Sequence, residues 1–241
     1  MLKQSRQPPI LFLDFDGTIS ERDAIDVLLE AFADPRWLDI EADWQSGRIG
    51  SRECLREQMA LVRATREEID AVLDSIKLDR GFGELLETCA HYRVPVHIVS
   101  DGFDYCIRRL LSSAGSGTSR ARHQIQICAS QLDFEGDRLR VGFPFFADPC
   151  SHGCATCKPA VMTRLNQNGA STIFVGDGLS DRYAAATADL LFAKGKLANY
   201  CHEADLPHVL YEGLGRVAVY LESLLSNKAF DVDATAQPLE A

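Results

Sequence analysis

The sequence has no apolar run approaching the ~20 residues that a helix needs to cross a bilayer. It also has no excess of positive charge: Lys and Arg number 25 against 35 Asp and Glu, for a net charge of −10. Such a chain lacks the field that draws nucleic acid or an anionic membrane surface. An anionic substrate would need local help from a cation, a lysine or backbone amides. The opening MLKQSRQPPILFLDFDG has no secretory h-region, because acids interrupt its apolar stretch. These absences set the expectation of a cytoplasmic protein with neither nucleic acid nor membrane as partner. There is no internal repeat and no low-complexity segment. Eight cysteines are present, but a cytoplasmic setting disfavours disulfides. Cys54, Cys89, Cys106 and Cys128 sit in apolar or helical patterns and read as small core residues.

What is present is an alternation of short apolar runs with helical periodicity. Residues 10–15 form a near-continuous apolar run, as expected of a strand buried on both faces of a parallel sheet. From Arg22 the spacing changes to that of helices, with Ile25, Leu28, Leu29 and Phe32 on one face. Thr65-Arg66-Glu67-Glu68 reads as a capping box opening a further helix. A helix over 83–92 precedes the strand VPVHIVS, and DYCIRRLLSSAG is helical up to its glycine. Residues 114–123 read as a loop, and IQICASQLDFEGDRLRVGFPFF as strands turning at Glu135-Gly136-Asp137. Pro159 opens a helix, STIFVGDG and DLLFA are strands, and Leu214, Val217, Ala218, Leu221 and Leu225 mark a last amphipathic helix. Residues 1–9 and 227–241 have little to bury.

Strands alternating with helices imply an α/β fold with a Rossmann-like parallel sheet. The helical block 22–80 breaks the alternation and predicts a cap inserted after the first strand. The core is then 1–21 and 81–241, with a small strand insert at about 124–147. In such sheets ligands bind at the carboxyl ends of the strands, and three polar motifs fall there: Asp14/Asp16, Ser100 and Asp177/Asp181. Carboxylates converging on one edge repel each other unless a hard divalent cation joins them, and oxygen-only ligands favour Mg²⁺. Ser100 supplies a hydroxyl, and Lys158 precedes a helix whose amides favour an anion. A carboxylate nucleophile, a nearby acid, a cation and a lysine make a phosphoryl-transfer site.

DFDGT, the Ser100 strand end, Lys158 and GDGLSD, in this order, resemble the four motifs of the haloacid dehalogenase superfamily of phosphatases. The resemblance implies Asp14 as the nucleophile that forms an aspartyl-phosphate and Asp16 as general acid and base. It implies Thr18 as a support beside the phosphate, Ser100 and Lys158 as holders of the phosphoryl oxygens, and Asp101 as their neighbour. Mg²⁺ would be held by Asp14, Asp16 through its carbonyl, Asp177 and Asp181. The helical insert resembles the phosphoserine phosphatase branch. Within it, CATCKP and DLLFAKGKLANYCHEADLPHVLY are similar to the methionine-salvage phosphatases of 2-hydroxy-3-keto-5-methylthiopentenyl 1-phosphate. The implied partner is a small phosphorylated metabolite.

The sequence departs from that branch in places. Gln58 stands where phosphoserine phosphatases carry a substrate-gripping arginine, which counts against phosphoserine. Ser100-Asp101-Gly102 replaces Ser-Gly-Gly, and a Ser-Asp pair occurs in the related phosphatases of phosphoamino alcohols. Glu21 and Gln58 are candidate substrate contacts. Cys150, His152, Cys154 and Cys157 crowd four soft ligands into eight residues, read either as a structural zinc knot or as reduced thiols packing a turn. Two non-catalytic alternatives stand beside the enzyme: a receiver-like phosphoacceptor and a zinc-binding interaction protein.

Overall fold

The computed structural model describes residues 7–113 and 125–226. Residues 1–6 of the expected lead-in 1–9, the loop 114–123 and the tail 227–241 lie outside the described residues, and Pro9 is buried. The first strand, β1 (Ile10–Leu13), is followed by four helices: α1 (Ala24–Phe32), α2 (Trp37–Gln45), α3 (Ser51–Ala60) and α4 (Arg66–Leu73). Then come α5 (Phe82–His91), β2 (Val96–Phe103), α6 (Asp104–Ser113), β3 (Gln126–Glu135) and β4 (Arg138–Gly142). The chain continues through α7 (Lys158–Leu165), β5 (Thr172–Gly176), a 3₁₀ turn (Leu179–Asp181) and α8 (Arg182–Ala185). It closes with β6 (Leu190–Ala193), α9 (Gly195–Glu203), β7 (Val209–Leu210) and α10 (Leu214–Ser226).

The seven strands form one sheet in the order β4-β3-β2-β1-β5-β6-β7, parallel except for β4. The central β1 is buried at every residue. Alternation along the strand divides it between two cores: Leu11 and Leu13 face one, Ile10 and Phe12 the other. The first core takes in α5, α10 and the apolar faces of α1 and α4, so the helical block shares its apolar packing with one face of the sheet. The second core is closed by α7, α8 and α9.

Two features differ from the pattern seen in sequence. β2 does not stop at Ser100 but runs on to Phe103, and its register against β3 breaks between Val99 and Phe103. Ser100, Asp101 and Gly102 therefore sit in an irregularity of the strand, a device that re-aims side chains. The strand pair at 124–147 is not detached from the sheet. The first half of β3 pairs with β2 and its second half with β4, so the hairpin projects from the sheet edge. There it meets the helical block: Ala64 donates its amide to the Asp137 carbonyl at 3.0 Å, and the Arg66 guanidinium lies over the Phe134 ring.

The expected capping box on α4 is present, and α1 is capped as well. Asp23 accepts the amides of Ile25 and Asp26 at the head of α1, and Thr65 and Glu68 close a capping box on α4. Asp70 and Asp74 of α4 also meet Arg109 of α6 at 3.1 and 2.8 Å. Packing rather than this ion pair should dominate, because Leu28 is fully buried whereas Arg109 is partly solvated. Leu28→Ala is expected to cost about 2–5 kcal/mol in urea denaturation, with Arg109→Ala clearly milder. The reverse order would show that charge, not packing, seats the helices.

Candidate active site

The carboxyl edge of the sheet gathers the polar motifs. Asp14 follows β1 and is tied to β5 by its amide, which donates to the Val175 carbonyl at 2.9 Å. The chain then turns so tightly that the Phe15 carbonyl accepts the amides of Thr18, Ile19 and Ser20. Gly17 makes that turn possible. Its φ is +72°, and a β-carbon there would lie 2.3 Å from Asp177 Oδ2. Asp16 is turned the other way, and its Oδ1 accepts the Ala24 amide at 2.8 Å, joining the edge to α1. Burial pushes the Asp16 carboxyl up to about 6 against that hydrogen bond.

Asp177 follows β5. Its Oδ1 accepts the Thr18 hydroxyl at 2.8 Å, and Tyr211 Oη stands 3.4 Å from the same hydroxyl. Thr18 therefore positions Asp177 rather than reaching for a phosphate. Asp14, Asp177 and Asp181 bring ligand oxygens within 4.8 Å of one another. An all-oxygen set of this kind suits a hard divalent cation such as Mg²⁺. The Asp16 carboxylate is not part of the group. Asp181 is fully buried and already engaged at both oxygens: Oδ1 with Lys158, Oδ2 with the amides of Asp177 and Gly178. It acts on the group by holding its neighbours.

Lys158, 2 % exposed at the head of α7, sets its Nζ 2.7 Å from Asp14 Oδ1 and 2.5 Å from Asp181 Oδ1. Burial works against the ammonium, but the two carboxylates outweigh it and hold the charge firmly. Asp14 is pushed well above the ordinary carboxylate range by burial and by Asp181, with Lys158 opposing. The Asp177 carboxyl is raised by the same two causes, burial first.

Ser100 is buried and accepts the Gly102 amide at 2.9 Å, leaving its own O–H to donate. Asp101 Oδ1 accepts the Thr156 amide at 2.9 Å and its side chain is hydrogen-bonded to the Ser51 hydroxyl, while burial raises its carboxyl. Asp101 lines the cavity beside Ser100, and these contacts also make it part of a seam. That seam joins α3 to the loop before Lys158. Ser51 also accepts the Ala155 amide at 2.9 Å, and Arg52 donates its amide to the Gly153 carbonyl at 3.0 Å. Gly50 lies so close to this loop that a β-carbon would stand 2.5 Å from the Gly153 carbonyl oxygen.

A cavity of about 370 Å³ opens between this edge and the helical block. Asp14, Asp16, Ser100 and Asp177 line one end, and Glu41, Trp44 and Gln58 the other. Gln58 is 2 % exposed and donates Nε2 to Glu41 Oε2 at 3.1 Å. Glu21 is exposed and lies outside the cavity lining.

The four soft ligands do not form a zinc site. Among the described residues Asp14, Asp177 and Asp181 are the one group of three or more metal-ligating side chains that converges. Cys150 and Cys154 are in side-chain contact, but the His152 ring is stacked 3.8 Å from Tyr183 and no three of the four donors, Cys150, His152, Cys154 and Cys157, converge. Crowding in sequence does not bring donors to a tetrahedron.

Sequence patterns missed Glu41, Trp44, Lys196 and Tyr211. Lys196 lines the cavity from α9, which went unread together with β7. Each of the four belongs to the site through contacts with segments remote in sequence, and no local spacing marks them.

The profile of the haloacid dehalogenase-like hydrolases matches residues 11–186. A 2-hydroxy-3-keto-5-methylthiopentenyl-1-phosphate phosphatase of Geobacillus thermodenitrificans is 30 % identical over 218 residues, 89 % of this chain and 96 % of that protein. One of the same description from Geobacillus kaustophilus is 31 % identical over 202 residues, 83 % of this chain and 89 % of that protein. Among solved structures, a substrate-bound phosphoserine phosphatase superposes with a TM-score of 0.68 at 18 % identity, covering 90 % of this chain and 99 % of that one. That likeness establishes the fold.

Replacing Lys158 with Met leaves two buried carboxylates uncompensated, an expected loss of about 3–5 kcal/mol near neutral pH in chelator. A carboxyl raised in the folded state, as Asp14 is, stabilises the fold at low pH and loses that contribution as pH rises through its folded value. Loss of the ammonium raises it further. The deficit of Lys158→Met should therefore shrink on acidification from the neutral range, read by urea denaturation at several pH values. A pH-independent deficit would contradict the assignment.

Proposed function

Because the chain belongs to the haloacid dehalogenase-like hydrolases and is a phosphoric monoester hydrolase, we propose that it dephosphorylates 2-hydroxy-3-keto-5-methylthiopentenyl 1-phosphate, or a small ester of that shape, in the cytoplasm. The observation that carries the chemistry is the convergence of Asp14, Asp177 and Asp181 around Lys158. The relatives' described activity and their near full-length coverage support the substrate.

In this reading Asp14 is the nucleophile. Its carboxylate attacks phosphorus in line with the leaving oxygen and forms an aspartyl-phosphate. Asp16 suits the acid role because its carboxyl, at about 6, carries a proton into the neutral range. It protonates the leaving oxygen and then takes a proton from the water that hydrolyses the phosphoenzyme. Ser100 donates to a phosphoryl oxygen, and Lys158 turns from Asp14 toward the transferring group. Asp14 and Asp177, with the main chain of Asp16, would hold Mg²⁺, which when bound offsets the repulsion between carboxylate and phosphate. Thr18 and Asp181 fix these groups in place. Helices α1–α4, within residues 22–80, serve as the cap on the core formed by 1–21 and 81–241, excluding water during the first step and admitting it for the second.

A second reading, an amino-alcohol phosphate, is favoured by the carboxylates at the far end of the cavity. The relatives' described phosphatase activity supports turnover over the receiver-like and zinc-binding alternatives.

Phosphate release, with Mg²⁺ and with chelator, tests the substrate on a panel of the methylthiopentenyl ester, phosphoserine, phosphoethanolamine and phosphocholine. A preference for the first, with kcat/KM of ~10⁴ M⁻¹s⁻¹ or more, is expected; weak activity on all four would discard that substrate and keep the chemistry. Asp14→Asn should lower kcat by at least about 10³-fold while the protein stays folded by circular dichroism. An active variant would remove Asp14 from its role.

A further inference from the structure

The two ends of the cavity differ in how their charge is balanced. At the sheet edge the carboxylates face Lys158, and the proposed cation would join them. At the far end α1 contributes Asp26, α2 contributes Glu41 and Trp44, and α3 contributes Gln58. No arginine lines the cavity among the described residues, and Lys196 is its one basic side chain outside the sheet edge. Burial, then Glu41 and Glu30, raise the Asp26 carboxyl, and the exposed Lys196 only partly opposes them. The Cys54 thiol, pushed up to about 12 by burial and then by Glu41, stays neutral and adds no charge. Gln58 is locked to Glu41 at 3.1 Å and holds that carboxylate at the wall.

We propose that Asp26 and Glu41 make the far wall a charge filter, which rejects phosphate esters whose organic end carries a carboxylate and admits those ending in hydroxyl, carbonyl or ammonium groups. The inference rests on the phosphatase reading and adds the class of organic group that the enzyme takes. A carboxylate placed there would lose its hydration beside two like charges, with no fixed cation to replace the water. The cation at the sheet edge cannot compensate, because it is committed to the phosphate. A hydroxyl or ammonium group instead donates to Glu41, and the Trp44 ring offers an apolar or cation-binding face.

The test uses a matched pair, glycerol 3-phosphate and 3-phosphoglycerate, which differ only by CH₂OH against carboxylate. Each is measured with Mg²⁺ as a substrate, and as a competitive inhibitor of p-nitrophenyl phosphate hydrolysis, so that a slow ester still reports its binding. The native enzyme should favour glycerol 3-phosphate by about tenfold or more. In Asp26→Asn/Glu41→Gln the ratio should fall to within about threefold, since both amides keep the shape and lose the charge. If the double variant does not fold by circular dichroism, Glu41→Gln alone should lower the ratio, because Gln58 can still donate to the new amide oxygen. Equal treatment of the pair by the native enzyme, or an unchanged ratio in the variants, would overturn the filter. Failure to hydrolyse p-nitrophenyl phosphate would instead strike at the phosphatase reading. A panel that ranks the methylthiopentenyl ester low while the ratio holds would remove that substrate and leave the filter standing.

Discussion

At the carboxyl edge of the sheet one ammonium lies between two carboxylates, all three withdrawn from water. Lys158 sits 2.7 Å from Asp14 and 2.5 Å from Asp181, on a helix that follows the sheet's long excursion through β3 and β4. Neither carboxylate would remain charged at that depth alone, and the lysine would not remain protonated without them. The pair brings β1 and β5 to a common edge and gives α7 a fixed starting point. Asp181 also collects the Asp177 and Gly178 amides, so the same balance sets the turn after β5.

Function is built outward from that centre in two directions. Toward the sheet, Gly17 and Thr18 bring the loop after β1 against Asp177. Toward the helices, Asp16 is bonded to the first residue of α1, and Ser51 and Asp101 stitch α3 to the loop that delivers Lys158. The carboxylates of the sheet edge and the helices opposite them are thus connected through short polar contacts. The seam meets the chain at Ala155 and Thr156, two residues ahead of the lysine's own helix.

How much of this was legible in the sequence follows from the range of each interaction. β1 and β5 were visible because burial on both faces leaves a continuous apolar signature, and α4 because Thr65 and Glu68 cap it locally. Three motif positions, Asp14/Asp16, Ser100 and Asp177/Asp181, were visible because strand ends of a parallel sheet converge by topology. The irregularity at Ser100 was not, since it arises from the register of β2 against β3 and leaves no mark in VPVHIVS. The contacts of Asp101 left no mark in the sequence because its partners, Ser51 and Thr156, lie on either side of it at long range. Spacing suggested a metal knot at 150–157, but convergence of donors is a property of the folded loop. The wall formed by Glu41 and Gln58 depends on two helices meeting, and periodicity describes only one helix at a time.

The contact between Gly50 and Gly153 has a mechanical meaning. Most interfaces between moving parts meet through side chains, which tilt and repack and so allow some give. Here main chain rests on main chain, with no room even for a methyl group. The seat of α3 is a hard stop. The clearance between the carboxylates of the sheet edge and Gln58, two turns farther along that helix, is therefore set against backbone.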